Sequence, residues 1–190
     1  RHPPNGVGRF LVPATTPATA ILAGNGKSGK KGGNMALVQM LVMYIHIGAG
    51  IMWIGGLAYL RFILLPALTR AAPEVRGPLL VDIGPRTVRF TLRVAEITIA
   101  AGIVNLFLAG KVTRMAHFFT TQWGIAIFLG FVMALVIYIL GQAVTRPTTL
   151  RIAETIRAVA TGRAPADTPA LLEALAARQR NVLTVQLALG

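Results

Sequence analysis

The sequence predicts an all-α fold, a polytopic bundle of transmembrane helices with three complete spans, a truncated fourth and an amphipathic surface helix. Three observations carry this reading. The 190 residues are 54% hydrophobic and only 13% charged, with a mean hydropathy of +0.64, values of the membrane class rather than of water-soluble domains. The apolar residues gather into runs long enough to cross a ~30 Å hydrocarbon core at ~1.5 Å per residue. The basic residues stand at the ends of those runs.

The first run, residues 35–65 (MALVQMLVMYIHIGAGIMWIGGLAYLRFILL), carries only His46 and Arg61 from among the acidic, basic and histidine residues. It also holds Gly48, Gly50, Gly55 and Gly56. Each glycine disfavours a helix by ~1 kcal/mol relative to alanine. In lipid, glycine lets a second helix or a flat ligand approach the backbone. Upstream, residues 1–34 are rich in Pro, Gly and Thr and read as an irregular basic tail. Its apolar run at Ala20–Ala23 is too brief for a signal-peptide core. Met35 stands directly before the span, so the tail reads equally well as an extension upstream of a natural start.

Residues 66–86 contain Pro66, Pro73, Pro78 and Pro85, which argue against a long helix and for short surface helices between them. The second span, residues 87–109, is led in by Arg86, Arg89 and Arg93, placed to snorkel at an interface. It holds Glu96 and Asn105, both expensive in hydrocarbon. The third, residues 123–144, starts at Trp123, suited to an interfacial belt, and stops before Arg146-Pro147. Residues 148–162 then turn amphipathic, with Arg151, Glu154 and Arg157 on one side and Leu150, Ile152, Ile156 and Val159 on the other. That pattern predicts a helix lying on the membrane or packed on a partner. Gly162 and Pro165 end it, and Thr168 as N-cap with Pro169 at the first position starts another helix. Its apolar end, residues 181–190, is too short to span, so the chain reads as ending inside a fourth span of a protein that continues.

Orientation follows from charge. Of 19 basic residues, the twelve from Arg61 to Arg93 and from Arg146 to Arg180 share one side. The positive-inside rule puts that side in the cytoplasm and the amino terminus outside, in a bacterial cytoplasmic membrane. The net charge of +13 flanks apolar spans rather than forming one face, which points to anionic headgroups and not to nucleic acid. With no cysteine in the chain, disulfides, thiolate metal sites and iron–sulfur clusters are excluded. The stretch Gly24–Lys30 lacks the spacing and the preceding strand of a phosphate-binding loop.

The candidate chemistry centres on His46, ~6 Å from the middle of its span by the helical rise. His46, Gly50, Trp53 and Leu57 share one face at i, i+4, i+7 and i+11. A neutral imidazole there is either a ligand (to copper, to haem b iron or to the magnesium of a chlorophyll-type pigment) or a structural residue bonded to a neighbouring helix. His117 falls on the membrane side from which His46 is reached, as do Met43 and Met115, and methionine with imidazole suits Cu(I). The same methionines also read as packing. Glu96 sits ~10 Å along the axis from His46. It pairs with Arg93 at i, i+3 or serves a water or proton relay, the local pair being preferred. Asn105 is expected to bond across helices. No acid–base or nucleophile arrangement appears, which argues against an enzyme.

The first span, with His46 followed seven residues later by Trp53-x-Gly55-Gly56, resembles the opening helix of the copper-resistance protein D (CopD) family and its small relatives. Arg89-Phe90 through Ala101-Gly102-Ile103 is similar to that family's next helix, in which Arg-Phe leads toward Thr-Gly. Thr121-Gln122-Trp123-Gly124 looks like its Thr-Pro-Tyr-Gly at the start of the third. Glu96, the amino-terminal tail and the lack of a lysine in the third helix depart from the pattern. The resemblance, over residues 35–190, implies a four-helix bundle tied to copper handling or to membrane redox assemblies. Two functions follow as expectations: a non-catalytic subunit of a larger electron-transfer or photosynthetic membrane complex, packing on other subunits or pigments, or a copper-handling membrane protein using His46 with His117 or methionine.

Overall fold

The structure, a computed structural model, describes residues 28–110 and 117–190. The chain divides into two compact units, Arg1–Ala36 and Leu37–Gly190. Most of the expected irregular tail lies outside the described residues, but its end does not: helix α1 (Ser28–Tyr59) already begins at Ser28. The second unit holds α2 (Leu65–Arg70), α3 (Pro73–Leu108), α4 (His117–Thr120), α5 (Gln122–Leu140), α6 (Arg146–Ala160) and α7 (Thr168–Leu189). Three helical segments are long and apolar enough to cross a membrane, Gly33–Arg70, Glu74–Leu108 and Gln122–Ala160.

Proline does not end the helices as expected. A π-helical turn at Leu60–Leu64 joins α1 to α2, with Leu65 N–H bonded to Leu60 O. A second π turn, Gly141–Thr145, joins α5 to α6, with Arg146 N–H bonded to Gly141 O. Each turn stands just before a proline, Pro66 or Pro147. The bond five residues back widens the helix where the ring would otherwise collide with a carbonyl, so the missing N–H falls in a turn already rearranged.

The expectation of short helices over residues 66–86 is corrected more fully, because α3 runs for 36 residues straight through Pro78 and Pro85. Both prolines follow glycine. Gly77 and Gly84 lack the Cβ that would strike the proline Cδ, so the helical conformation stays open to them. The same glycines admit α6: a Cβ on Gly77 would stand 3.4 Å from Ile156 Cγ2, and one on Gly84 would stand 3.1 Å from Thr149 Cγ2. The two contacts step seven residues forward on α3 and seven back on α6, an antiparallel seam of heptad period. The amphipathic segment therefore continues from the third span and buries Thr148 and Ala153, packing against α3.

Helix α7 carries residues 181–190 as the end of a longer helix. It runs for 22 residues with Leu175, Leu183 and Gln186 buried. Thr168 is its first residue rather than its cap, and its hydroxyl donates back to Pro165 O at 2.5 Å. The core is built from all four long helices: Trp53 and Leu57 of α1, Val94 and Ala95 of α3, Ile137 of α5 and Leu183 of α7. Outside it the surface is apolar, with Ile51 68%, Phe62 67% and Phe107 68% exposed. Hydrocarbon solvates such side chains as well as a protein core does, so cohesion at this depth comes from close packing and hydrogen bonds.

Candidate functional site

The seam between α1 and α3 holds the histidine. His46 Nδ1 lies 2.8 Å from Thr98 O. A carbonyl oxygen only accepts, so Nδ1 carries the proton, which in the neutral imidazole leaves Nε2 its lone pair. The ring fits because position 102 is glycine: a Cβ there would lie 2.8 Å from His46 Cε1 and 3.0 Å from Nδ1. One turn along, a Cβ on Gly50 would rest 3.7 Å from Thr98 Cγ2. The pairs 46 with 102 and 50 with 98 fix an antiparallel register, which sets Ala95, wholly buried, level with Trp53. Trp53 and Leu57 are 4% and 2% exposed, and His46 and Gly50 are half-buried. The face read from the sequence is therefore the face that packs.

Holding one imidazole nitrogen by a backbone carbonyl fixes the tautomer and the ring plane, the usual way in which a metal-ligating histidine is oriented. The same bond serves a purely structural residue. Met43 is 50% exposed and points outward. Met115 lies outside the described residues, as does the side chain of His117. Among the described residues no group of three or more His, Asp or Glu converges on a metal-sized site.

A second polar network joins α3 to α5. Arg93 Nη1 donates to Glu96 Oε2 at 2.8 Å, the preferred local pair. Tyr138 OH donates to Glu96 Oε1 at 3.1 Å, Gln142 Nε2 donates to Tyr138 OH at 2.9 Å, and Arg146 Nη1 reaches Gln142 Oε1 at 3.4 Å. Every donor points the same way, so the ladder leads from a cation to a carboxylate that arginine and tyrosine share. Sequence reasoning missed Tyr138 and Gln142, although their spacing with Arg146 at i, i+4 and i+8 was a readable signal. Tyr138→Phe removes one donor and one acceptor. We expect a loss of about 1 kcal/mol, seen as a fall of roughly 2–4 °C in melting temperature, with Arg93→Gln in the Tyr138→Phe background lowering it further.

Asn105 corrects the expectation set for it: its Oδ1 is buried with no hydrogen-bond partner, not bonded across helices. Two further residues were not foreseen. Thr98 donates its hydroxyl to Val94 O at 2.9 Å, turning its methyl toward Gly50. Gln186, 2% exposed, ties α7 to α5. No protein-family model matches the chain, and no curated protein or solved structure matches it significantly.

Proposed function

We propose that the chain is a non-catalytic, multi-pass subunit of a larger electron-transfer or photosynthetic complex in a bacterial cytoplasmic membrane, with α1 packed on partner helices or on pigment. The supporting observation is a division among the helical glycines. Gly77, Gly84, Gly102 and Gly141 each face a side chain of this chain, within 3.4 Å of where a Cβ would stand. At Gly48, Gly55 and Gly56 a Cβ would meet nothing within 4 Å, as also at Gly33 of α1 and Gly130 of α5. The most apolar eighteen-residue window of the first segment has no residue buried within the chain. Open glycines on a lipid-facing helix weaken that helix by ~1 kcal/mol each against alanine, with no compensating contact from this chain. A second helix or a flat ring seated on Gly48 and Gly55, seven residues apart on one face, supplies that contact. His46 stands on the opposite face of α1, against Gly102, and is a separate candidate as single axial ligand, through Nε2, to haem b iron or a chlorophyll-type magnesium.

Copper handling is the second reading, favoured by the same unengaged Nε2 lone pair, with His117 or a methionine as co-ligand. Purification from native membranes in mild detergent separates the two. The subunit reading expects a particle well above the 20.2 kDa of the chain, reduced to chain size by the Gly48→Leu/Gly55→Leu double variant. Stoichiometric copper on a chain-sized particle replaces it with the second reading. A Soret band lost on His46→Ala with the particle intact assigns haem to Nε2.

A further inference from the structure

A cavity of about 70 Å³ opens at the arginine-rich end of the bundle, where α2, α3, α6 and α7 converge. Leu64 and Leu68, Leu80 and Ile83, Ile152 and Gln179 are among its walls. It exists because two interrupted helices meet there. The π turn before Pro66 carries Leu60 and Leu64 around one side, and the Gly84-Pro85 step of α3 thins the other. The lining is aliphatic apart from Gly84, Thr87, Thr149 and Gln179. Thr149 already spends its proton on Thr145 O at 2.9 Å. Gln179 Oε1 is buried with no hydrogen-bond partner.

Those facts conflict unless something else completes the site. A buried, unpaired amide oxygen is unfavourable, because it has given up water without a replacement. A single water needs ~10–15 Å³ and two to four polar partners. This cavity has several times that volume, and among its leucine and isoleucine walls only Gln179 and the hydroxyls of Thr87 and Thr149 are polar side chains, so a cluster of waters filling it would be left partly unpaired. An apolar molecule carrying one hydroxyl meets both demands. Its body fills the aliphatic walls, and its O–H donates to Gln179 Oε1. Because a hydroxyl also accepts, it satisfies the amide in either orientation of its oxygen and nitrogen.

We infer that the cavity is a binding site for a hydroxyl-bearing apolar molecule of the membrane, an alcohol of the isoprenoid or alkyl type or a phenol of the hydroquinone type. The end of a span is the depth at which such a molecule holds its chain in hydrocarbon and its hydroxyl near the headgroups. The inference stands on the cavity and Gln179 alone and does not depend on the subunit reading.

The test uses the full chain in phosphatidylcholine nanodiscs, with unfolding followed by tryptophan fluorescence. Decan-1-ol is compared with decane, and 4-hexylphenol with hexylbenzene. The hydroxyl compounds are expected to raise the melting temperature saturably, by about 3–6 °C at ten times Kd, and their hydrocarbon counterparts to fall well short. Gln179→Leu should abolish the difference within each pair, and Leu80→Trp, which fills the cavity, should abolish saturation altogether. A stronger response to the phenol assigns the hydroquinone type, and a stronger response to decan-1-ol the aliphatic type. Equal shifts from decane and decan-1-ol overturn the inference. So does an undiminished decan-1-ol shift in Leu80→Trp, a result that remains available if Gln179→Leu does not fold.

Discussion

Gly102→Ala is expected to destabilise the bundle by about 2–3 kcal/mol, a fall of roughly 4–12 °C in melting temperature, although it adds one methyl group. The new Cβ would lie 2.8 Å from His46 Cε1 and 3.0 Å from Nδ1. The obstacle is a rigid ring, held by the 2.8 Å bond from Nδ1 to Thr98 O. Relief requires that the ring swing away and lose that bond, or that α1 and α3 separate along the whole seam. The double variant Gly102→Ala/His46→Ala removes the obstacle and should regain most of the loss, giving a coupling well above the ~0.5 kcal/mol of independent sites. Gly48→Ala is the control, because a Cβ there meets nothing within 4 Å. In the purified chain it should be neutral or slightly stabilising, by helix propensity. Equal effects at positions 48 and 102 would refute the close packing of imidazole on Gly102.

What the sequence made legible divides along physical lines. Runs of apolar residues announce themselves by length, so the three long segments were readable. So was the face of α1 carrying His46, Gly50, Trp53 and Leu57, since helical period fixes which residues share a side. The Arg93–Glu96 pair was readable because it is local. Proline misled, because its usual effect is stated for an average neighbour. At Pro78 and Pro85 the preceding glycine removes half of the clash, and at Pro66 and Pro147 a π turn absorbs it. Neither correction has a period, and both depend on a tertiary partner that rewards a continuous helix. The fate of residues 181–190 was hidden for a related reason. A short apolar end has no period that announces its neighbours, and here it closes a core, with Leu183 1% exposed beside Trp53 and Ile137. Thr98 and Gly102 were invisible as parts of the histidine site because they lie 52 and 56 residues along the chain, and only the register of two packed helices brings them to it.

Gln186→Ala is expected to have an effect at least as large, about 3–5 kcal/mol, because it removes packing and hydrogen bonds at one buried position. Gln186 is 2% exposed and is the only side chain of α7 recorded in hydrogen bonds to α5 and its π turn among the described residues. Its Nε2 donates to Ile137 O at 2.9 Å, and its Oε1 faces Thr145 Oγ1 at 3.4 Å. Ile137 precedes the Gly141–Thr145 π turn and Thr145 ends it, and a Cβ on Gly141 would stand 3.5 Å from Gln186 Nε2. The amide therefore lies across the widest turn of the helix and braces it between those two residues. Gln186→Leu separates the two contributions, since it restores most of the volume but leaves Thr145, 7% exposed, without that acceptor. It should lose about 1–2 kcal/mol, less than half of the alanine effect. Melting of the purified chain in the same detergent checks the order, wild type above Gln186→Leu above Gln186→Ala. If leucine matches wild type, the polar bridge contributes nothing and α7 is held by packing alone. If leucine matches alanine, the hydrogen bonds carry the helix and its filled volume does not.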